Sequence, residues 1–300
     1  MKRSLLILSL FLLSFVSFSQ RSFWEDADSL SPPRFTSVSV GISGTWIGSY
    51  VGLSQIWYKD VEKTPWHSFD DSKNWLQMDK AGHFYAAYKI NALTTGLYNW
   101  SGLAPKKSIW LGAGVSIGYQ LTLEMFDAYS AEWGFSGSDV IANTLGTTGY
   151  LTQQLLWKEE RIIPKFSYTP SPYAALRPHI LGSSFSESLL KDYNGQTYWL
   201  SFSPGTFLTN SPIPKWACIS LGYSVNAKLV GDEEIYIDPL SQVAYYSRRE
   251  FILSLDIDFS KLPIRRPWLK KVVHQLNYLK VPFPALVLSN NRFLGRAVYF

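Results

Sequence analysis

Cysteine is almost absent from this sequence, because Cys218 is the only one in 300 residues. A single thiol cannot form an internal disulfide, which excludes the class of small secreted domains stapled by several bridges. It also lies far from the N-terminal segment, so we expect no diacylglyceryl anchor at an N-terminal cleavage site. Stability therefore has to come from packing and polar contacts.

Charged residues are also scarce. They make up 17% of the chain, against about 25% in an average soluble domain. Aromatic residues reach 16%, and a low charge with many aromatic rings is typical of proteins whose surface partly meets lipid. A soluble protein with an aromatic core fits the same composition. The sequence thus favours membrane lipid as a partner without requiring it.

Several chemical motifs are missing. The sequence contains no P-loop, no Rossmann fingerprint and no GxSxG elbow, so it predicts no nucleotide or serine-hydrolase site of those kinds. No basic recognition module is present, and we expect no nucleic-acid partner. These absences leave the cofactor unknown.

The first 19 residues, MKRSLLILSLFLLSFVSFS, have the pattern of an export signal. Lys2 and Arg3 precede a short apolar run, and Ser17 and Ser19 suit the small-residue positions before cleavage at Gln20. The run is short for a spanning helix, although an uncleaved anchor is the alternative. Together with the C-terminal Phe300, which resembles the end of many bacterial outer-membrane proteins, this predicts the periplasm or outer membrane of a Gram-negative bacterium.

The hydrophobic period divides the remaining chain into two parts, 20–163 and 164–300. The first part predicts about four helices, near 35–57, 80–99, 107–130 and 138–157, separated by Gly, Ser and Pro. The second part shows alternating apolar and polar residues at 197–203, 219–229 and 251–259. We therefore predict an α+β protein, with a membrane-associated helical bundle followed by an antiparallel β-sheet. A buried bundle under the sheet is the alternative for the helices.

The strands themselves allow two interpretations. Alternation of this length fits a sheet with one face in water, or strands of an outer-membrane protein. With three or four clear strands, a partial sheet packed on the helices is the simpler expectation.

The C-terminal 40 residues are unusually basic. Residues 261–300 contain eight Lys or Arg and no acidic residue, whereas the rest of the chain holds 20 basic and 23 acidic side chains. The cluster around Trp268, formed by Arg265, Arg266, Lys270 and Lys271, fits contact with anionic lipid headgroups. An ordinary solvated basic face explains it equally well.

Polar pairs interrupt three of the apolar helical segments. They lie three or four residues apart, so each pair shares a helix face: Asp79/His83, Glu124/Asp127 and Asp139/Asn143. Burying such groups costs several kcal/mol each unless they meet partners. If the helices pack together, these six residues form one polar cluster.

Three kinds of chemistry suit this cluster. Carboxylates with an imidazole fit a first-row divalent cation, although neither HExxH nor ExxH occurs. Acid–base catalysis is the second, with Asp79 orienting His83 and Glu124 or Asp127 carrying charge. The third is structural, with the carboxylates and Asn143 bonding across helices, or with aspartates capping helix N-termini.

The motifs DKAGHF, EMFDAYS and GFSGSDVIANTLG occur in that order. In this order they resemble the YfiM-like family of predicted periplasmic lipoproteins, whose function is not established. The order of DKxxH, an acidic helix and DxxxNxxG is also similar to VanZ-like membrane proteins. The resemblance covers about residues 40–203 and implies motif positions at Asp79, Lys80, His83, Glu124, Asp127, Asp139, Asn143 and Gly146. Two departures matter: no lipobox cysteine is present, and Asp127 stands where VanZ-like proteins usually have Gln.

Two functions remain open from the sequence. The first is an accessory or structural protein of the cell envelope, in which the cluster fixes helix packing or binds a small ligand. The alternative is an enzyme, a hydrolase or transferase acting on an envelope lipid or cell-wall substrate through His83 and the nearby carboxylates.

Overall fold

A computed structural model describes residues 23–59, 61–208 and 210–300. The predicted export signal, residues 1–19, lies outside the described residues. The described chain is α+β, with the long helices first and the sheet after them, as the change of hydrophobic period predicts.

Four long helices make up the N-terminal part, and shorter ones follow. They are α1 (Pro32–Ile56), α2 (Met78–Trp100), α3 (Pro105–Asp127), α4 (Gly137–Trp157), α5 (Pro178–Leu181), α6 (Phe185–Lys191), α7 (Pro204–Phe207) and α8 (Pro267–Leu276). Proline opens several of these helices, where its missing N–H costs nothing. Ser136 caps α4 by accepting a hydrogen bond from the backbone N–H of Asp139, which is a favoured N-cap arrangement.

Helices α2, α3 and α4 pack closely because glycines remove side chains from their contacts. A Cβ at Gly146 of α4 would overlap the backbone oxygen of Phe84 in α2, and one at Gly112 of α3 would overlap the side chain of Thr95. The glycines therefore let the helix backbones approach one another. This close approach brings the polar faces of the three helices together.

The C-terminal part is built on a six-stranded sheet in the order β1-β2-β3-β6-β7-β8, with every neighbouring pair antiparallel. Its strands are β1 (Ile162–Tyr168), β2 (Gln196–Phe202), β3 (Ala217–Asn226), β6 (Arg248–Ile257), β7 (Phe283–Ser289) and β8 (Arg292–Tyr299). A separate hairpin joins β4 (Ile235–Ile237) to β5 (Ala244–Tyr246). The three strands predicted from alternation correspond to β2, β3 and β6.

The sheet is strongly curled. Trp199 on β2 and Tyr299 on β8 contact each other, with ring centroids 5.7 Å apart. Four inter-strand steps separate these strands, which in a flat sheet would place them about 19 Å apart. The sheet therefore has a concave face that is closed upon itself, and a convex face outside.

The concave face is buried and holds both an apolar cluster, with Trp199 and Ile252, and a group of polar side chains. The Nζ atom of Lys165 lies 2.9 Å from a carboxylate oxygen of Asp256, and both side chains are fully buried. Ser201 and Ser220 donate hydrogen bonds to the same carboxylate. Cys218 is also buried and lies on this face, beside Asp256 on the neighbouring strand.

The convex face is apolar. Near β1 and β2 it packs against α2, where the ring of Tyr85 lies 5.9 Å from both Phe166 and Tyr198. Farther from α2, Leu200 of β2 and Leu221 of β3 on the convex face are exposed. The sheet thus buries charged and polar side chains among apolar ones on its concave side, whereas its convex side is apolar.

In the described part of the chain, every helix falls short of the combination of length and apolar character that crossing a membrane requires.

Candidate functional site

The N-terminal turn of α2 is set by an unusual backbone. Trp75, Leu76 and Gln77 all have positive φ, at 50°, 52° and 64°, a conformation that costs most residues free energy. The sheet holds this turn in place, because Tyr223 donates a hydrogen bond to the Leu76 backbone oxygen and Arg249 donates to the Gln77 side chain. Because α2 begins directly after this turn, the turn places Asp79, Lys80 and His83 at the interface between the helices and the sheet.

Lys80 is the central cation of the site. Its Nζ atom lies 2.6 Å from Asp71, 3.0 Å from Asp79 and 2.9 Å from Asp139. These carboxylates come from the connector before α2, from α2 itself and from α4. One ammonium group therefore bridges three separate segments of the chain.

His83 lies beside this ammonium group. Its Nδ1 atom is 3.1 Å from the Asn143 side-chain oxygen, and since that oxygen only accepts, Nδ1 carries the proton. The Nε2 atom then faces two carboxylates, with Asp79 at 3.8 Å and Asp139 at 3.9 Å. Asn143 of α4 thus fixes the orientation of the imidazole of α2.

Glu124 reaches the site from α3 and is 1% exposed. One of its carboxylate oxygens accepts a hydrogen bond from the Ser136 backbone N–H. The other, Oε1, has no hydrogen-bond partner among the described residues and lies 3.7 Å from His83 Nδ1. A buried acid with an unpartnered oxygen is a candidate for proton transfer.

Asp127 takes a different position. Its Oδ1 atom accepts a hydrogen bond of 2.5 Å from the Tyr58 hydroxyl, which comes from the segment after α1. Asp127 therefore ties the end of α3 to Tyr58 at the margin of the cluster.

The surroundings shift the pKa values of the acidic groups in opposite directions. Burial raises the pKa of Glu124 to about 8 and that of Asp127 to about 6. Burial and the charge of Asp79 raise the pKa of Asp139 to about 7. Burial also opposes ionisation of Asp79, but His83 and Lys80 outweigh it and lower its pKa. Neighbouring acids with separated pKa values are the usual arrangement for proton transfer, and they also occur in structural ion networks.

The carboxylates of the cluster also shift the pKa values of its two basic residues, His83 and Lys80. Burial alone would lower the pKa of His83, but the charges of Asp79, Asp139 and Glu124 outweigh it and raise the pKa. The carboxylates also raise the pKa of Lys80 despite its burial. The structure therefore favours the protonated, positively charged forms of both Lys80 and His83 among the acidic side chains.

Part of the cluster has the dimensions of a cation site. One ligand atom from each of Asp79, His83 and Asp139 lies within 4.8 Å of the others, and carboxylates with an imidazole suit first-row divalent metals. The Lys80 ammonium group contacts the second oxygen of both carboxylates. Positive charge is thus already supplied where a metal ion would have to bind.

The structure brings together most of the residues singled out from the sequence. Asp79, His83, Glu124, Asp139 and Asn143 converge, whereas Asp127 bonds Tyr58 at the margin. Their catalytic role stays a prediction.

Two further members were missed by the spacing argument. Asp71 bonds Lys80 and accepts from the hydroxyls of Ser136 and Ser138, and Tyr193 donates a hydrogen bond of 2.8 Å to Asp79. Both lie in irregular segments, where no helical spacing points to the cluster. The only signal for Asp71 was its position within an acidic pair in the connector.

Comparison with known proteins gives one match. Residues 66–154 are similar to a family described as "predicted periplasmic lipoprotein (DUF2279)", and this range is less than a third of the chain. It contains every predicted site residue, from Asp79 to Asn143. The description agrees with the predicted location in the periplasm or outer membrane. No curated protein and no solved structure matches the chain.

Proposed function

We propose that this chain is an accessory or structural protein of the cell envelope, in which the polar cluster locks the helices to one another and to the sheet. The observation that carries the proposal is the position of Lys80, whose ammonium group bridges carboxylates of three segments. Contacts of this kind fix a relative arrangement that apolar packing alone leaves looser.

The other contacts of the cluster support the same role. His83 of α2 bonds Asn143 of α4, Glu124 of α3 accepts from Ser136 before α4, and Tyr193 after α6 bonds Asp79. Each contact joins two different elements.

The test is a comparison of stability and abundance. We expect His83→Ala and Asp139→Ala to lower the free energy of unfolding by about 2–4 kcal/mol, because each leaves a buried partner unpaired. The amount of protein in the envelope fraction should fall in parallel. His179→Ala, at an exposed position, is the matched control and should behave as wild type. Unchanged stability in both cluster variants would refute the structural role.

An enzyme is the second candidate, and Glu124 is the observation that favours it. Its pKa of about 8 and its unpartnered oxygen next to His83 suit a general acid for a hydrolase or transferase. The likeness to VanZ-like motifs belongs with this candidate.

Glu124→Gln separates the two candidates. The amide has nearly the same shape, so the variant should fold with stability close to that of wild type at neutral pH. It would be expressed in a strain that lacks the gene, and resistance to envelope stress by detergent would be scored. Restored resistance supports the structural role, whereas a stable variant without resistance supports the enzyme.

A further inference from the structure

The sheet buries a charged pair beside apolar residues on its concave side, and it exposes apolar side chains on its convex side. Its concave side holds a fully buried Lys165–Asp256 ion pair. Its convex side carries the row Leu200, Leu221, Leu253 and Leu286, which are direct register neighbours on four adjacent strands. We call this row the leucine row.

The leucine row is exposed. Its four side chains are between 42% and 52% accessible, and Phe251 and Leu255 beside it on β6 are 54% and 59% accessible. A groove of about 590 Å³ between β3, β6, β7 and β8 is lined by Leu253 and Leu286 of the row and also by Arg296. A contiguous apolar surface of this kind marks an interaction site.

The adjoining C-terminal segment adds a second apolar stripe with positive charge. In α8, Trp268, Val272 and Leu276 are four residues apart and all exposed. Leu279 follows them and forms a bridge with Phe166 of β1. Paired residues project from the same side of a sheet, so Leu279 lies on the convex side.

The charged residues next to the apolar stripe of α8 indicate which kind of partner it binds. Arg265, Arg266 and Lys270 are exposed beside the α8 stripe, and residues 261–300 contain no acidic residue. Apolar side chains bordered by exposed Arg and Lys match a bilayer with anionic headgroups, in which acyl chains meet the apolar groups and phosphates meet the bases.

We propose that the leucine row and the exposed stripe of α8 form a lipid-contact surface, which holds the protein on a bilayer containing anionic lipid. The inference uses the envelope location but not the role of the polar cluster. Its failure would therefore leave the proposed locking role of Lys80 and His83 intact.

The test is flotation with vesicles of the chain from Gln20 to Phe300, without the predicted export signal. We expect wild type to float with vesicles of phosphatidylglycerol and phosphatidylcholine in equal parts, and less with phosphatidylcholine alone. The double variant Leu221→Glu/Leu253→Glu should reduce the bound fraction at least tenfold. Leu240→Glu, in the loop between β4 and β5 and 93% exposed, is the matched control and should float as wild type.

A second variant tests the charge. Arg265→Glu/Arg266→Glu should reduce binding to the phosphatidylglycerol vesicles about tenfold and leave binding to phosphatidylcholine unchanged. Equal losses on both vesicle types would contradict the assignment to anionic headgroups.

A labelled variant keeps the test decisive if the glutamates impair folding. Leu221→Cys in a Cys218→Ser background would carry an environment-sensitive dye, whose emission should shift to the blue on phosphatidylglycerol vesicles. The proposal is overturned if wild type ignores both vesicle types, if the double glutamate variant binds as wild type, or if the dye shifts only on self-association of the protein.

Discussion

Lys80 occupies a site where three carboxylates approach one ammonium group within 3.0 Å. Its side chain is only 12% exposed, and that of Asp139 is 6% exposed. At this depth the acids depend on a cation, because water cannot replace it.

Replacement of Lys80 by methionine should therefore be strongly destabilising. We expect Lys80→Met to lower the free energy of unfolding by about 3–5 kcal/mol at pH 7, since buried acids would be left without a counter-charge. Urea denaturation followed by tryptophan fluorescence measures the change. Lys106→Met, at an exposed position near the start of α3, should change stability by less than about 0.5 kcal/mol. Equal midpoints for the two variants would contradict the central role of Lys80.

The helical spacing of the sequence predicts the part of the site that lies on helices. Helical spacing and apolar neighbours identified Asp79, His83, Glu124 and Asp139, because placing charges among such neighbours demands partners. Spacing did not identify Tyr193, because the irregular segment after α6 has no repeating pattern that fixes where a side chain points.

At the level of elements, the packing of α2 against α4 depends on the missing side chain of Gly146. A methyl group there would overlap the Phe84 backbone, whereas one at Gly114 of α3 would meet nothing within 4 Å. Gly114, which also lies within a long helix, therefore serves as the control position for Gly146.

Alanine substitution should separate them. Gly146→Ala should destabilise the protein by about 1–3 kcal/mol through overpacking, and Gly114→Ala should stabilise it by about 0.5–1 kcal/mol through helix propensity. Thermal unfolding monitored by circular dichroism gives both values. The close-packing argument is wrong if Gly146→Ala raises the melting temperature.

The helices were easier to predict than the strands. The predicted helical segments 80–99 and 138–157 correspond closely to α2 and α4. The strands β1, β7 and β8 carry weaker signals: β1 has a buried Lys165, β7 contains Pro284, and β8 is exposed along most of its length. Alternation reveals a strand only when one face is apolar and the other is polar.

For the whole molecule, the cluster predicts how stability depends on pH. The raised pKa values of Glu124, Asp139 and Asp127, at about 8, 7 and 6, mean that the folded state binds more protons than the unfolded state above about pH 4. The raised pKa of His83 acts in the same direction. Folding stability should therefore fall as pH rises from about 5 to 8.

Glu124→Gln tests this dependence directly. The fall between pH 5 and pH 8 should be smaller in the variant, because one proton-binding group is gone and each pKa unit corresponds to about 1.4 kcal/mol. Urea midpoints at five pH values would give both curves. Identical slopes for the variant and wild type would show that Glu124 is ionised throughout.

The buried Cys218 has a practical consequence. Its thiol is sealed on the concave face, and burial raises its pKa to about 12, so alkylating reagents reach it only when the curled sheet opens. Because it is the chain's one cysteine, its reaction reports on this position alone. The rate of alkylation therefore measures how often the sheet opens, without any dye or engineered label.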